Sequence, residues 1–354
     1  MSDAVAWPQL FDALADGRDL TLTESHMAFT AVLAGEATPA QIGALLLGLQ
    51  TNGISADELT GCVRALLDAC QGFTVDQDAI DTCGTGGSMQ RREAAFNVST
   101  LSAFAVAGAG GKVCKHGNRK ASATSGSADL LEALGVFVEL DGPGVAHCVD
   151  TAGLGFMLAP KFHPGMRHAG PIRRELGIRT VFNFAGPLAN PAGVTRQVVG
   201  VADGSMASTV ARVLLANGAE RAMVVFGSDG LDELTLTGLS TVLEVRDGLV
   251  VEHSVDPAAY GMALRSHAPL GGDTAANVAL AQSVLAGEKG EHRDIVVLNA
   301  AAGLVVAGVV DELGDGVKLA ADSIDNGNAS AVLDKLIAAS NEAAVNAKAS
   351  SSDD

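Results

Sequence analysis

Residues 81–127 constrain this chain more than any other stretch. They open Asp81-Thr82-Cys83-Gly84-Thr85-Gly86-Gly87-Ser88, pass Asn97-Val98-Ser99-Thr100 at the head of an apolar run, and reach Lys115-His116-Gly117-Asn118-Arg119 and Ser125-Gly126-Ser127. Glycine admits backbone angles closed to other residues and lets a large anion approach the main chain. The first N–H groups of the following helix lack intrahelical partners, and with the positive end of the helix dipole they favour phosphate. Asn97 reads as the N-cap of a helix over 98–109, with Ser99 and Thr100 placing hydroxyls in its first turn. Lys115 and Arg119 supply mobile and forked positive charge. Alone, the run 84–87 is as readily a tight turn after a strand over 79–82. Joined to the two clusters that follow, it reads as an anion cradle. No GxxxxGK[ST] is present and the run does not fill GxGxxG, which excludes the P-loop and the dinucleotide fingerprint.

Around this segment the period of the chain changes. Residues 1–75 read as wholly helical: Thr21-Leu22-Thr23-Glu24 and Ser55-Ala56-Asp57-Glu58 are capping boxes, and Thr38-Pro39 begins a helix with proline in its first turn. A unit this small packs on a partner, and a homodimer interface through these helices, joined by part of 163–185, is the expectation. From 76 to 340, strand-like runs (112–114, 196–201, 222–226) alternate with helical stretches (126–134, 205–217, 273–286, 294–307). That alternation predicts an α/β domain with a mainly parallel central sheet. The low-complexity end, 341–354, is expected to be a disordered tail.

The 354 residues suit one large or two ordinary domains, and an apolar content of 48% is ample for a core. A formal charge of −18 argues against nucleic acid or an anionic membrane as partner. The apolar run 295–310 is interrupted by Asn299 and is too short to span a bilayer, so it reads as a buried helix. Five cysteines, odd in number and without CxxC spacing, point to a reducing, cytoplasmic setting. No basic-then-apolar leader is seen at the N-terminus.

Two further clusters carry chemistry. Ala159-Pro160-Lys161-Phe162-His163-Pro164 leads into a basic helix with Arg167, Arg173 and Arg174, then Arg179-Thr180-Val181-Phe182-Asn183 and Gly186-Pro187-Leu188. An inward arginine there can fork onto a carboxylate; Arg167 and Arg174 taken alone read as a solvated face. Gly227-Ser228-Asp229-Gly230-Leu231-Asp232-Glu233 follows a strand directly, where parallel sheets bind ligands. Adjacent carboxylates suit Mg²⁺, although an acidic surface turn would look the same. His147, His168 and Cys83 read as structural residues.

In combination these motifs resemble the anthranilate phosphoribosyltransferases, in a glycosyltransferase family that also includes the pyrimidine nucleoside phosphorylases. The resemblance covers residues 5–340. It implies a helical dimerisation domain, an α/β domain and an active site at the hinge. The implied reaction is transfer of ribose 5-phosphate from phosphoribosyl pyrophosphate (PRPP) to the nitrogen of anthranilate, in tryptophan biosynthesis. Carried over, Gly84, Gly87, Ser88, Asn97, Ser99, Thr100, Lys115 and Ser127 hold PRPP, and Ser99, Asp232 and Glu233 hold Mg²⁺. Gly84, Asn118, Arg173, His116, Ala159, Pro160 and His163 meet or line the path of anthranilate. Lys115, Arg173 and Asn118 are the expected catalytic residues. The family pattern has an aspartate where Ser88 stands and a threonine where Ala95 stands; its loop is shorter than the one here through Met89–Glu93, and in some relatives Met166 is an aromatic residue. A pyrimidine nucleoside phosphorylase is the first rival reading, disfavoured by Asn118 and by Asp232-Glu233. A non-catalytic nucleic-acid-binding homologue is the second, disfavoured by the net charge.

Overall fold

The computed structural model describes residues 5–86, 88, 94–119 and 124–350. Four helices open the chain: Trp7–Ala15, Leu22–Ala34, Pro39–Asn52 and Ala56–Asp68. The last three begin in complete capping boxes, in which Thr21, Thr38 and Ser55 accept from the amides of Glu24, Gln41 and Glu58 and those side chains return to the cap N–H. Glu58 is fully buried, and its second oxygen accepts from Leu20 N at 2.9 Å, tying the preceding loop to the bundle. Helices Leu22–Ala34 and Ala56–Asp68 touch at Gly61, where a Cβ would lie 2.7 Å from both His26 N and Leu22 O. Helices Met166–Leu176 and Phe182–Leu188 join the bundle from later in the chain: Ala169, Val181, Phe182 and Ala185 share its core, and Phe182 meets Phe29 edge to face at 5.4 Å.

The rest of the chain builds a seven-stranded sheet in the order β3-β2-β1-β4-β5-β6-β7. The strands are β1 (Ile80–Gly84), β2 (Val113–Gly117), β3 (Leu154–Leu158), β4 (Arg196–Gly200), β5 (Arg221–Gly227), β6 (Ser240–Arg246) and β7 (Leu249–Val255). β1 to β5 are parallel; β6 and β7 are antiparallel additions at one edge. Alternate residues bury opposite faces, as strand geometry requires. Val198, Val225 and Val242 face the core shared with helices Val98–Gly108 and Glu291–Ala307, while Val199, Val224 and Leu243 face helix Ala207–Ala216 and the N-terminal bundle. Covered on both sides, β3 and β5 are near-continuous apolar runs, whereas β1, β2 and β4 also carry Asp81, Lys115 and Gln197.

Three features depart from the sequence expectation. β3 and the β6–β7 hairpin were not foreseen, although the hairpin turns at Asp247-Gly248 with both φ positive, a pairing that suits a two-residue connection. Of the expected tail 341–354, residues 351–354 lie outside the described residues, and 341–350 belong to helix Asn328–Ser350, with Ala343 and Ala344 packed on the core and Asn341 Nδ2 donating to Gly135 O at 3.0 Å. Its alanine-rich composition favours helix as much as it signals low complexity. Among the described residues no helix is long and apolar enough to cross a membrane, and the run 295–310 lies mostly within the buried helix Glu291–Ala307.

Gly61→Ala should lower stability by about 1–3 kcal/mol from overpacking, although alanine is the better helix former by about 1 kcal/mol. Urea unfolding of the variant checks this; a gain in stability would mean that the two helices are free to move apart.

Candidate active site

From β1 the chain adds β2 and β3 on one side, then β4 and β5 on the other. The order therefore reverses between β1 and β4, and ligands of open α/β sheets bind at the carboxyl ends there. The residues after β5 cross back over this point. A Cβ on Gly84 would run into the Asp232 carboxylate, and one on Gly200 into the Asp232 carbonyl, so two glycines at the ends of β1 and β4 let this segment seat across the crevice. Gly86 is then gripped from both sides: its N–H donates to Asp232 Oδ2 at 2.8 Å and its carbonyl accepts from Arg179 Nη1 at 3.0 Å.

Above the switch point lies a hollow of about 550 Å³. Gly84, Ser88, Asn97, Ser99, Thr100, Lys115 and Ser127 all line it, together with Asp232 and Glu233. Of the residues nominated for PRPP, Gly87 lies outside the described residues. Ser88 Oγ, Asn97 Oδ1, Thr100 Oγ1, Ser125 Oγ and His116 Nε2 are buried with no hydrogen-bond partner. Unpaired polar atoms at such density are costly unless a ligand completes them. Asn97 stands at the N-cap position but makes no capping bond, which leaves its side chain to the hollow. Lys115 is 3% exposed and donates to Thr82 O and, at 3.2 Å, to Ser99 Oγ. Arg119 does not supply the free charge expected of it, because its guanidinium pairs with Glu132 at 2.6 Å and Glu139 at 2.8 Å, acids of the following helix and loop.

A second hollow, of about 660 Å³, adjoins the first. It is lined by every residue nominated for anthranilate: Gly84, Asn118, Arg173, His116, Ala159, Pro160 and His163. Gly84, Thr85, His116, Asn118 and Asn183 belong to the walls of both hollows. Arg173 lies 5.4 Å over the ring of Phe182 and reaches Asn183 Oδ1 at 3.4 Å. Arg167 and Arg174 stand exposed at the rim. Met166 is part of this wall.

Burial sets the charges. Asp81, fully buried on β1, accepts from His116 N at 3.2 Å and from Asn190 Nδ2 at 2.8 Å. Burial pushes its carboxyl up to about 6, opposed by the neighbouring Lys115. Lys115 is itself lowered by burial, with Asp81 acting against the shift. His116 is pushed down to about 3 by burial, with His163 adding to it, and burial also lowers His163. Both imidazoles are therefore neutral at pH 7, with ring centroids 5.2 Å apart. Arg173 is lowered by burial, yet a guanidinium stays charged at pH 7. Cys83 is raised well above the ordinary thiol value by burial, which fits a small core residue rather than a nucleophile.

For a cation the site offers the carboxylates of Asp232 and Glu233 and the Ser99 hydroxyl. Among the described residues no group of three or more His, Cys, Asp or Glu could hold a metal by itself. A sparse, all-oxygen set of this kind suits Mg²⁺, which keeps waters and leans on substrate phosphates. Asp229, in the same acidic run, is used within the segment: it accepts from Thr235 Oγ1 at 2.7 Å and Thr237 Oγ1 at 2.8 Å.

Comparison with known proteins decides the family. Residues 76–330 match the model of the glycosyl transferase family a/b domain, and 8–70 match that of its helical bundle domain. The anthranilate phosphoribosyltransferase of Afipia carboxidovorans is 48% identical over 328 residues, covering 92% of this chain and 96% of the relative. This chain belongs to the anthranilate phosphoribosyltransferase family. Among solved structures of the family, the enzyme from Thermus thermophilus superposes with a TM-score of 0.87 at 39% identity, over 93% of this chain and 98% of that one. The Saccharomyces cerevisiae family member, solved in complex with PRPP and Mg, gives 0.86 at 25% identity, over 96% of this chain and 99% of that one.

Sequence reasoning gave no role to Ser125, Arg179, Asn183 or Gly200, all placed here by the fold. The first three stand in motifs already singled out; Gly200 carries no local signal, because its need arises from a segment distant in sequence. His168 lies against Gly35, and His147 lies 3.7 Å from Glu342.

An acid raised in the folded state loses stability as pH rises between its unfolded and folded values, because there only the folded chain keeps the proton. From 3.8 to about 6 the shift of Asp81 corresponds to on the order of 3 kcal/mol. Relative to Asp81→Asn, wild-type stability should therefore fall between about pH 4 and 6 and level off above it, as read by denaturant unfolding across pH. A difference that stays flat over that window would show Asp81 ionised throughout.

Proposed function

We propose that this chain transfers the phosphoribosyl group of PRPP to the nitrogen of anthranilate, releasing pyrophosphate, as a step of tryptophan biosynthesis. One observation carries the reading: the hollow with the unpaired polar atoms and the acid pair and the hollow with the half-buried arginine share a wall, so their occupants would meet. Gly84, Ser88, Asn97, Ser99, Thr100, Lys115 and Ser127 are the groups proposed to hold PRPP, with Gly87 beside them in sequence.

The arylamine of anthranilate is already neutral at pH 7, so its attack needs no strong base. The barrier lies in breaking the bond from ribose C1 to the diphosphate oxygen, through an oxocarbenium-like state as in other glycosyl transfers. Lys115 and the backbone amides around Gly84 stabilise the charge that builds on the departing diphosphate. Mg²⁺, held by Ser99, Asp232 and Glu233, supplies further neutralisation of the leaving group. Gly86 N–H is engaged by Asp232, so diphosphate taking that donor would release the carboxylate. Arg173 forks onto the anthranilate carboxylate and Asn118 turns the amine toward C1, with neutral His116 and His163, Ala159 and Pro160 as the apolar flank.

The partners proposed are PRPP and anthranilate, and a second copy of the chain docked through the N-terminal helices, where Leu47 is an apolar side chain 50% exposed. A cytoplasmic setting goes with five cysteines that are all free thiols.

Purified protein supplied with Mg²⁺ and PRPP should consume anthranilate, followed as loss of its fluorescence. Phosphorolysis of uridine or thymidine without such loss would instead point to a nucleoside phosphorylase. Arg173→Ala should raise the anthranilate KM by roughly tenfold to a hundredfold, the worth of a charge-assisted hydrogen bond of about 1.5–3 kcal/mol, and leave the PRPP KM nearly unchanged. Equal effects on both constants would remove Arg173 from the acceptor side.

A further inference from the structure

Helix Glu291–Ala307 runs beneath the site, buried along its apolar length, and carries one carboxamide there: Asn299, 6% exposed. Asn299 Nδ2 donates to Ile295 O within its own helix and to Leu234 O, both at 2.9 Å, and Asn299 Oδ1 accepts from Leu234 N at 2.9 Å. The reciprocal pair with Leu234 is what a neighbouring strand would provide, yet Leu234 lies outside any strand. Leu234 follows Asp232-Glu233 directly and is itself 1% exposed. On the other side of the acid pair, Leu231 O accepts from Gly227 N at 2.9 Å and Leu231 N donates to Asp229 Oδ1 at 3.2 Å. The two acids are thus spanned between two fixed residues, one held by the segment itself and one by a helix 65 positions away. A hollow of about 20 Å³, bounded by Ser99, Asp232, Glu233 and Asn299, separates the carboxamide from the proposed cation position.

We infer that Asn299 is a positioning residue that sets the bearing of Asp232 and Glu233 toward the cation. The inference rests on the proposed role of that pair. Only a side chain presenting donor and acceptor at fixed separation can hold both backbone groups of Leu234. A serine reaches only its own helix, bonding back to Ile295 O.

The test compares the wild-type chain with Asn299→Ser and with a control, Ser323→Ala. Ser323 Oγ donates to Ala105 O at 2.8 Å in the same core but away from the site, so the control loses a buried hydrogen bond without touching Leu234. Free Mn²⁺, read by electron paramagnetic resonance in the presence of PRPP, gives cation affinity without turnover. Asn299→Ser should weaken Mn²⁺ binding and raise the Mg²⁺ half-saturation by about tenfold or more, the usual effect of removing a group that orients a metal ligand. The anthranilate KM at saturating Mg²⁺ should not change. Ser323→Ala should lose thermal stability while keeping wild-type Mn²⁺ affinity. Wild-type Mn²⁺ affinity in Asn299→Ser, with a loss of Tm like that of the control, would overturn the inference and leave Asn299 a packing residue. Should the serine variant fail to fold, Asn299→Asp, which keeps the acceptor for Leu234 N–H but not the donor, is read by the same titration with the same two outcomes. A wild-type chain that binds Mn²⁺ with PRPP yet leaves anthranilate untouched would sink the proposed reaction and not this assignment; no Mn²⁺ uptake by the wild type would sink both.

Discussion

The site depends on two absent side chains. Gly84 and Gly200 end adjacent parallel strands at the point where the sheet order reverses, and both leave room for the segment that carries Asp232. With a methyl group at either position the acids would be displaced from the glycine loop, and the amide of Gly86 would lose its partner. Close approach of backbone to backbone brings a cradle of N–H groups and an acidic pair to the walls of one hollow without any long side chain reaching across. Lys115 then lies below, buried against Thr82 and Ser99, where its charge is little screened by water.

The second hollow has a different character. Its neutral histidines, proline and half-buried Arg173 offer one inner positive group, with Arg167 and Arg174 at the rim, which suits a flat aromatic carboxylate. Apart from His116, the side chains at the common wall are small or short, which leaves little partition between the two hollows. Neutrality of His116 follows from its burial and from His163, and that of His163 from its own burial, and it spares the arginine a competing cation.

Features encoded locally were legible in the sequence. The capping boxes opened by Thr21 and Ser55 depend on residues three apart, whereas Thr38 was read only as the start of a helix with proline in its first turn and its box with Gln41 was passed over. The anion cradle depends on glycines and hydroxyls next to a helix start. The same held for the buried helix around Asn299 and for the alternation that predicts a parallel sheet. Relations between distant residues were not legible. The bond from Gly86 to Asp232 joins positions 146 apart, and Asn299 read only as a blemish in an apolar run. Arg119 was misjudged because Glu132 and Glu139 sit on a helix and loop whose direction the motif did not reveal. Residues 341–350 were misjudged because small residues that look featureless in sequence can still pack as helix when a core face is waiting for them.

The two hollows draw part of their walls from different elements. The glycine loop, Lys115 and the acid pair ride on the sheet, whereas Arg173 and Phe182 ride on helices whose apolar faces are absorbed into the N-terminal bundle. Any shift of those helices against the sheet would be felt first at the Arg173 side of the second hollow, yet Arg179, which donates to Gly86 O, and Asn183, which lines both hollows, couple the two walls, so the glycine loop would feel it too.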